Sequence, residues 1–370
     1  MNQAYVSDVM NRLQAKVDRM IEQIGDKCPH VAREDGVYDS TGSDWWTSGF
    51  WPGLLWIMHD VTGKNNYRDA AWGWDEAIEP WLIKFSEDFH HDVGFQFLPT
   101  AVIKYKLTGD QDGLQRGLQA ANFLAGRFNP AGEFIRAWNG DKIGWAIIDC
   151  MMNLSLLFWA SEQSKDPRFK HIAVRHADTA LANFIRPDGS VNHIVSFNPE
   201  SGEFIESLGG QGYGPQSAWS RGNAWAIYGF ANAYKCTKDI KYLNAAKRTA
   251  HYFTANLPED HVPHWDFRVE SLEGEPRDSS AGAIAASGLL EIAQHVSEAE
   301  ARFYNSTAHA ILQSLTENYA TWDKPEHQGI LIGGTGHKPA GQNINVSLIY
   351  GDYFYVEAFA KLSGWKHSIF

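Results

Sequence analysis

The sequence predicts an all-α protein: an (α/α)6 barrel of six helical hairpins, with small β-hairpins in the loops at its mouth. Two observations carry this. A weak pattern recurs six times, in which a polar, aromatic segment leads into an apolar helix rich in Ala, Gly and Leu, then a short turn and an amphipathic helix. No Pro/Gly/Ser-rich linker or low-complexity stretch divides the 370 residues, so 1–370 reads as a single barrel domain.

The N-terminal segment, residues 4–24, carries Val6, Val9, Met10, Leu13, Val17, Met20 and Ile21 on one helical stripe. The first hairpin follows in "SDWWTSGFWPGLLWIMHDVTGKNNYRDAAWGW", and the second begins at "HHDVGFQFL". The third begins at "GWAIIDCMMNLSLLFWAS", residues 144–161, which reads as a buried helix. The fourth and fifth begin at "SAWSRGNAWAIYGF" and "RDSSAGAIAASGLL". The sixth, "NVSLIYGDYFYVEAFAKL", lacks a second helix, and the N-terminal helix is its natural partner. Turns such as "TGDQDG", "SKDP" and "TKDIKY" are short and polar, as antiparallel neighbours require. The more apolar helix of each pair belongs inside and the amphipathic one outside. "GSVNHIVSF" and "GILIGG" read as small hairpins in the long loops.

Composition narrows the function. The net charge is −12 with no basic patch, which argues against a nucleic-acid partner. No apolar run reaches membrane-span length and the N-terminus lacks signal-peptide character. Three cysteines, Cys28, Cys150 and Cys236, fit no zinc spacing, so reduced thiols in a cytoplasmic protein are expected. No HExxH, P-loop, Rossmann fingerprint or GxSxG is present, so neither metal nor cofactor is expected, and His90–His91 cannot face each other on a helix. Fifteen tryptophans among 13% aromatics suit either a sugar-binding concavity or a Trp-rich helical core.

The barrel order gathers the segments that precede inner helices at one mouth. Candidate groups there are Asp92, Asp149, His193, Gln211, Trp219, Arg221 and Trp225, with Trp46 and Phe50. Each has an ordinary alternative: the acids as helix N-caps, Arg221 as a bridge between loops, His193 as a structural histidine. Asp149 raises the sharper question, because a carboxylate at the head of an apolar run must be paired, protonated or useful.

The motifs "DWW-T-SGFW-G", "HHDVGF", "IIDCMMNL", "WSRGNAW-IYGF", "HWDF", "RDSSA-AI" and "GDYFY-EA" together resemble the unsaturated glucuronyl hydrolases, glycoside hydrolase family 88, from about Pro29 to Ala360. The family's fold agrees with the helix pattern. The resemblance implies a general acid/base at Asp149 and a second essential acid at Asp92. It implies a uronate site lined by His193, Gln211, Trp219, Arg221 and Trp225, walled by Trp46 and Phe50. The implied substrate is a lyase-generated, glycosaminoglycan-type oligosaccharide whose 4,5-unsaturated uronate is removed by hydration of the C4=C5 bond. A monomer or weak homodimer is expected. Gly336 departs from the resemblance, since relatives often carry an aromatic before the following histidine. An unsaturated rhamnogalacturonyl hydrolase, a sugar epimerase and an inactive carbohydrate-binding barrel stay open as alternatives. For sulfate on the leaving sugar, the resemblance points to Lys235 and to Ser363 with Lys366; the ordinary alternative is that both lysines are turn residues at the far ends of their inner helices, at the closed end of the barrel.

Overall fold

The computed structural model describes residues 1–370. A long helix, α1 (Gln3–Ile24), precedes the hairpins. The first hairpin sets α2 (Phe50–Thr62) against a broken partner, α3 (Asn65–Ala71) and α4 (Trp74–Ile78). In the second, α5 (Val93–Phe97) and α6 (Ile103–Thr108) form one inner rod, paired with α7 (Gln111–Ala125). The π-helical stretch Leu98–Val102 joins the two halves of that rod. Pro99 lies in that stretch, and its missing N–H breaks the regular hydrogen-bond ladder. The third hairpin is α8 (Cys150–Ser164) with α9 (Pro167–Asn183), and the fourth α10 (Ser220–Thr237) with α11 (Ile240–Ala255). The fifth is α12 (Ser279–Ala293) with α13 (Glu298–Ser314). Finally α14 (Ile349–Leu362) packs against α1 and against α2, so the ring closes.

Local chemistry builds the turns. Lys165 and Lys238 end α8 and α10 in the left-handed conformation, at φ 59° each, and Gly109 ends the α5–α6 rod at φ 76°. The next residue in each case is an aspartate, Asp110, Asp166 or Asp239, whose side chain accepts a backbone N–H of the outer helix it starts. Inner helices touch through glycine. A Cβ at Gly229 would lie 2.5 Å from Met151 Cβ, and one at Gly288 would lie 2.9 Å from Tyr228 Cβ. These contacts let α10 approach both α8 and α12 closely, and the inner helices are apolar and buried along almost their whole length.

Three small antiparallel sheets crown the end where the inner helices begin. One joins β1 (Val31–Ala32) to the β7–β8 hairpin (Gly334–His337 and Gln342–Leu348). Another pairs β2 (Phe128–Asn129) with β3 (Phe134–Ile135). The third orders β4 (Trp145–Ile147), β5 (Ile194–Phe197) and β6 (Phe204–Leu208).

Two local expectations need correction. Residues 144–149 are not helical: Trp145–Ile147 is strand β4, held by β5 some fifty residues on, and α8 begins at Cys150. "GILIGG" is not a hairpin either. It contributes one bridge, Ala320 to Leu331, and the hairpin lies just beyond it, in Gly334–Leu348. Strand β4 depends on a partner remote in sequence, which local pattern does not carry.

Candidate active site

A cavity of about 260 Å³ opens at the mouth, between the segments that enter the inner helices. Its lining includes Trp46, Asp92, Asp149, Gln211, Trp219 and Arg221 among the sequence candidates. Asp149 and Asp92 occupy the N-cap positions of α8 and α5, yet neither side chain caps its helix. The contrast with Asp110, Asp166, Asp239 and Asp278, which all cap, removes the ordinary explanation for both acids.

Asp149 keeps part of its surface open to the cavity, while Oδ1 is sealed and has no hydrogen-bond partner. Burial pushes its pKa up to about 7, against a downward pull from the Arg221 cation. Asp92 is buried, and burial followed by the Asp149 charge holds its pKa well above the usual carboxylate range. The two acids therefore resist ionising together.

Asn153, which the sequence reading missed, ties these acids to each other's helices. Its Nδ2 donates to Asp92 Oδ1 at 3.4 Å and to the Asp149 carbonyl at 3.3 Å, and its Oδ1 accepts the Phe95 N–H at 2.8 Å. It stands one turn below Asp149 on α8, which is the signal that could have found it. Asn153→Ala leaves a buried N–H unpaired and is expected to cost about 1–3 kcal/mol, measurable by denaturant unfolding.

His90 and His91 also line the cavity, unnoticed as site residues in the sequence. Their rings stack at 4.8 Å, within 3.5 Å and 3.2 Å of Asp92. With Asp92 they bring three possible metal-ligand atoms within 4.8 Å of one another. The rings are only 12° from parallel, so their in-plane lone pairs do not converge on a point as ligands of one ion would. Burial lowers both histidine pKa values, so both rings are neutral near pH 7.

Arg221 does what its ordinary reading described. Its guanidinium donates to Asp278, to the carbonyls of Thr335 and Gly336, and to Gln211 Oε1. It thus fastens the β7–β8 hairpin and the Gln211 loop to the head of α10. It also stacks on Trp219, 4.5 Å from the ring centroid. Asp278 completes the clamp by accepting from the N–H groups of Ser280 and Thr335.

His193 is buried behind this wall, 4.1 Å from Trp219. The Gln211 N–H donates to its Nδ1 at 2.9 Å, and burial lowers its pKa to about 3. The same Nδ1 lies 3.1 Å from the Gly209 carbonyl, while Nε2 has no protein partner. Gln96, also missed, donates to the carbonyls of Ser43, Asp44 and Trp45 and so fixes the loop that carries Trp46.

Two further placements differ from expectation, and two lysines fall where their ordinary reading put them. Trp225 and Phe50 do not line the cavity: both are fully buried beneath it, packed on Phe95, while Trp46 and Tyr350 form the surface above. Lys235 lies at the far end of α10, bonded to the Phe370 carbonyl, and Lys366 follows α14 in a shallow hollow with Asp60 and Ser363. Neither lysine is near the mouth, because both come after their inner helices rather than before them.

A helical barrel whose mouth presents two uncapped, elevated-pKa acids against an aromatic wall defines a carbohydrate-acting hydrolase. The chain matches the model of Glycosyl Hydrolase Family 88 over residues 16–370 and belongs to that family; it is a glycoside hydrolase. It is 36% identical to the unsaturated glucuronyl hydrolase of Bacillus sp. strain GL1, over 93% of each chain. The crystal structure of the Bacillus sp. GL1 enzyme superposes with a TM-score of 0.91, at 35% identity over 94% of each chain. An Asp-to-Asn variant of the Streptococcus agalactiae enzyme, complexed with dGlcA-GalNAc6S, matches with a TM-score of 0.85 and 28% identity, over 100% of this chain and 94% of that one.

Proposed function

We propose that this chain removes the 4,5-unsaturated uronate from the non-reducing end of lyase-generated, glycosaminoglycan-type oligosaccharides. The observation that carries this reading is Asp149: a carboxyl at a helix head that caps nothing, with one oxygen unpartnered and a pKa raised to about 7. The names of the relatives support the same chemistry.

The unsaturated uronate is an enol ether. Protonated Asp149 delivers its proton to C4, and positive charge develops at C5, shared with the ring oxygen. The Asp149 carboxylate then takes a proton from water as the water oxygen bonds to C5. The hemiketal so formed opens and expels the partner sugar. No bond at C1 is displaced by the enzyme, so the carboxylate-separation rule for retention or inversion does not apply. Burial, and then the Asp149 charge, favour the neutral form of Asp92, which in that form offers a hydrogen-bond donor to the substrate.

The test is direct. Incubation with lyase-made unsaturated disaccharides is expected to abolish the ultraviolet absorbance of the conjugated enol-ether carboxylate, with release of the partner sugar. Unchanged absorbance on chondroitin-derived fragments would overturn the proposal, and loss of absorbance on pectin-derived fragments alone would put the rhamnogalacturonyl reading in its place.

The pH dependence follows in sign. The donor must be protonated, so kcat is expected to fall by about tenfold per pH unit once pH rises past the Asp149 pKa of about 7. A rate constant flat to strongly alkaline pH would exclude this carboxylic acid as donor.

A further inference from the structure

The β7–β8 hairpin closes one side of the catalytic cavity, and Gly336 on β7 faces Asn343 on β8. A Cβ at Gly336 would stand 2.9 Å from Asn343 Cβ, so the asparagine fills the space that a side chain at position 336 would need. Asn343 itself lies at φ 54°, a left-handed conformation that side-chain-bearing residues adopt at a cost and that asparagine tolerates best. It is half-buried, and it lines two spaces at once. One is the catalytic cavity; the other is an adjoining groove of about 910 Å³ bordered by Arg33, Glu34, Asp35 and Gly341. Asn343, with the more exposed Gln342 before it, thus forms the partition between the reacting sugar's pocket and the open surface beyond it.

A substrate cut at its non-reducing end must place the unsaturated ring inside the cavity and lead the leaving sugar out past its rim. We infer that Asn343 reads the leaving sugar, its carboxamide hydrogen-bonding a neutral hydroxyl or acetamido group on that ring. This rests on the function proposed above. A carboxamide supplies one acceptor and two donors without charge, which matches such groups. The Gly336 carbonyl is held by Arg221 at 2.7 Å, so the clamp that orders β7 also sets where Asn343 stands.

Asn343→Gly separates this role from a backbone one, because glycine adopts the same φ without cost. The measurements are kcat and KM on an unsaturated chondroitin disaccharide and on the methyl glycoside of the unsaturated uronate, together with Tm. The expected result is a Tm at or above that of the wild type, a rise of about tenfold in KM for the disaccharide, and less than a twofold change for the methyl glycoside. Asn343→Asp keeps the conformation and adds charge, and is expected to discriminate further against 6-sulfated disaccharides relative to unsulfated ones. Equal losses on both substrates, or no loss on either, would overturn the inference and leave the proposed function standing. Wild-type protein that turns over neither substrate would overturn the proposed function, and this inference with it.

Discussion

Asp149→Asn is expected to lower kcat by about a thousandfold or more while the protein becomes more stable at alkaline pH. The first effect follows from chemistry. Asparagine keeps the shape of the side chain but has no acidic proton to give C4, and general acid catalysis contributes about 10²–10⁴ in rate. The second follows from linkage. Burial raises the folded-state pKa of Asp149 to about 7, far above that of an exposed aspartate. The folded protein therefore binds the proton more tightly than the unfolded chain does. The stability tied to that proton is complete below the unfolded pKa and is lost as pH rises through the folded value. At pH 8 the wild type must keep a buried carboxylate that the variant lacks, so the variant should melt higher; near pH 4 the difference should vanish. An inactive variant that melts lower than wild type at pH 8 would point to a structural defect. Retention of a tenth of wild-type activity would remove Asp149 from the mechanism. Asp92→Asn should also be severely impaired, and the double variant little worse than either single one, since acids that act as a unit are not additive.

Arg221→Met is expected to cost about 3–5 kcal/mol of folding stability, read by denaturant unfolding, because it strands the fully buried Asp278 carboxylate without its cation. It also frees the carbonyls of Thr335 and Gly336, so the β7–β8 hairpin loses its attachment to α10. Adding Asp278→Asn should recover part of the loss by removing the stranded charge. Whatever activity survives has a signature of its own. Arg221 pulls the Asp149 pKa down, so without it the alkaline limb of the kcat profile should move to higher pH. A variant as stable as wild type would mean that the buried pair is not what fastens the hairpin.

The barrel was legible because its signals are local. Apolar helices alternating with amphipathic ones, joined by turns such as Lys165–Asp166 and Lys238–Asp239, set both the helix ends and which helix faces inward. The order of those helices already placed Asp92 and Asp149 at a common end. The motifs around them were enough to point to the family. What the sequence did not contain was orientation. Trp225 and Phe50 sit near the heads of inner helices, as the lining residues do, but helix rotation turns them into the core beneath Trp46. Trp145–Ile147 continues an apolar run into a helix, yet pairing with Ile194–Phe197 makes it a strand.

By itself, then, the sequence determined the fold class and set Asp92 and Asp149 at one mouth, since both follow from residue type and spacing along the chain, while the roles proposed for the two acids came only with the family resemblance. Only the tertiary structure decided what those groups meet. Arg221 meets Asp278, fifty-seven residues away, and so spends its donors on the protein's own loops. Lys235 and Lys366 fall at the opposite end from the substrate because an inner helix separates them from the mouth. Asp149 meets nothing that satisfies its Oδ1. The physical reason is common to all three. The free energy of a charged group depends on its dielectric surroundings and on partners brought near by folding, and neither is a property of its neighbours in sequence.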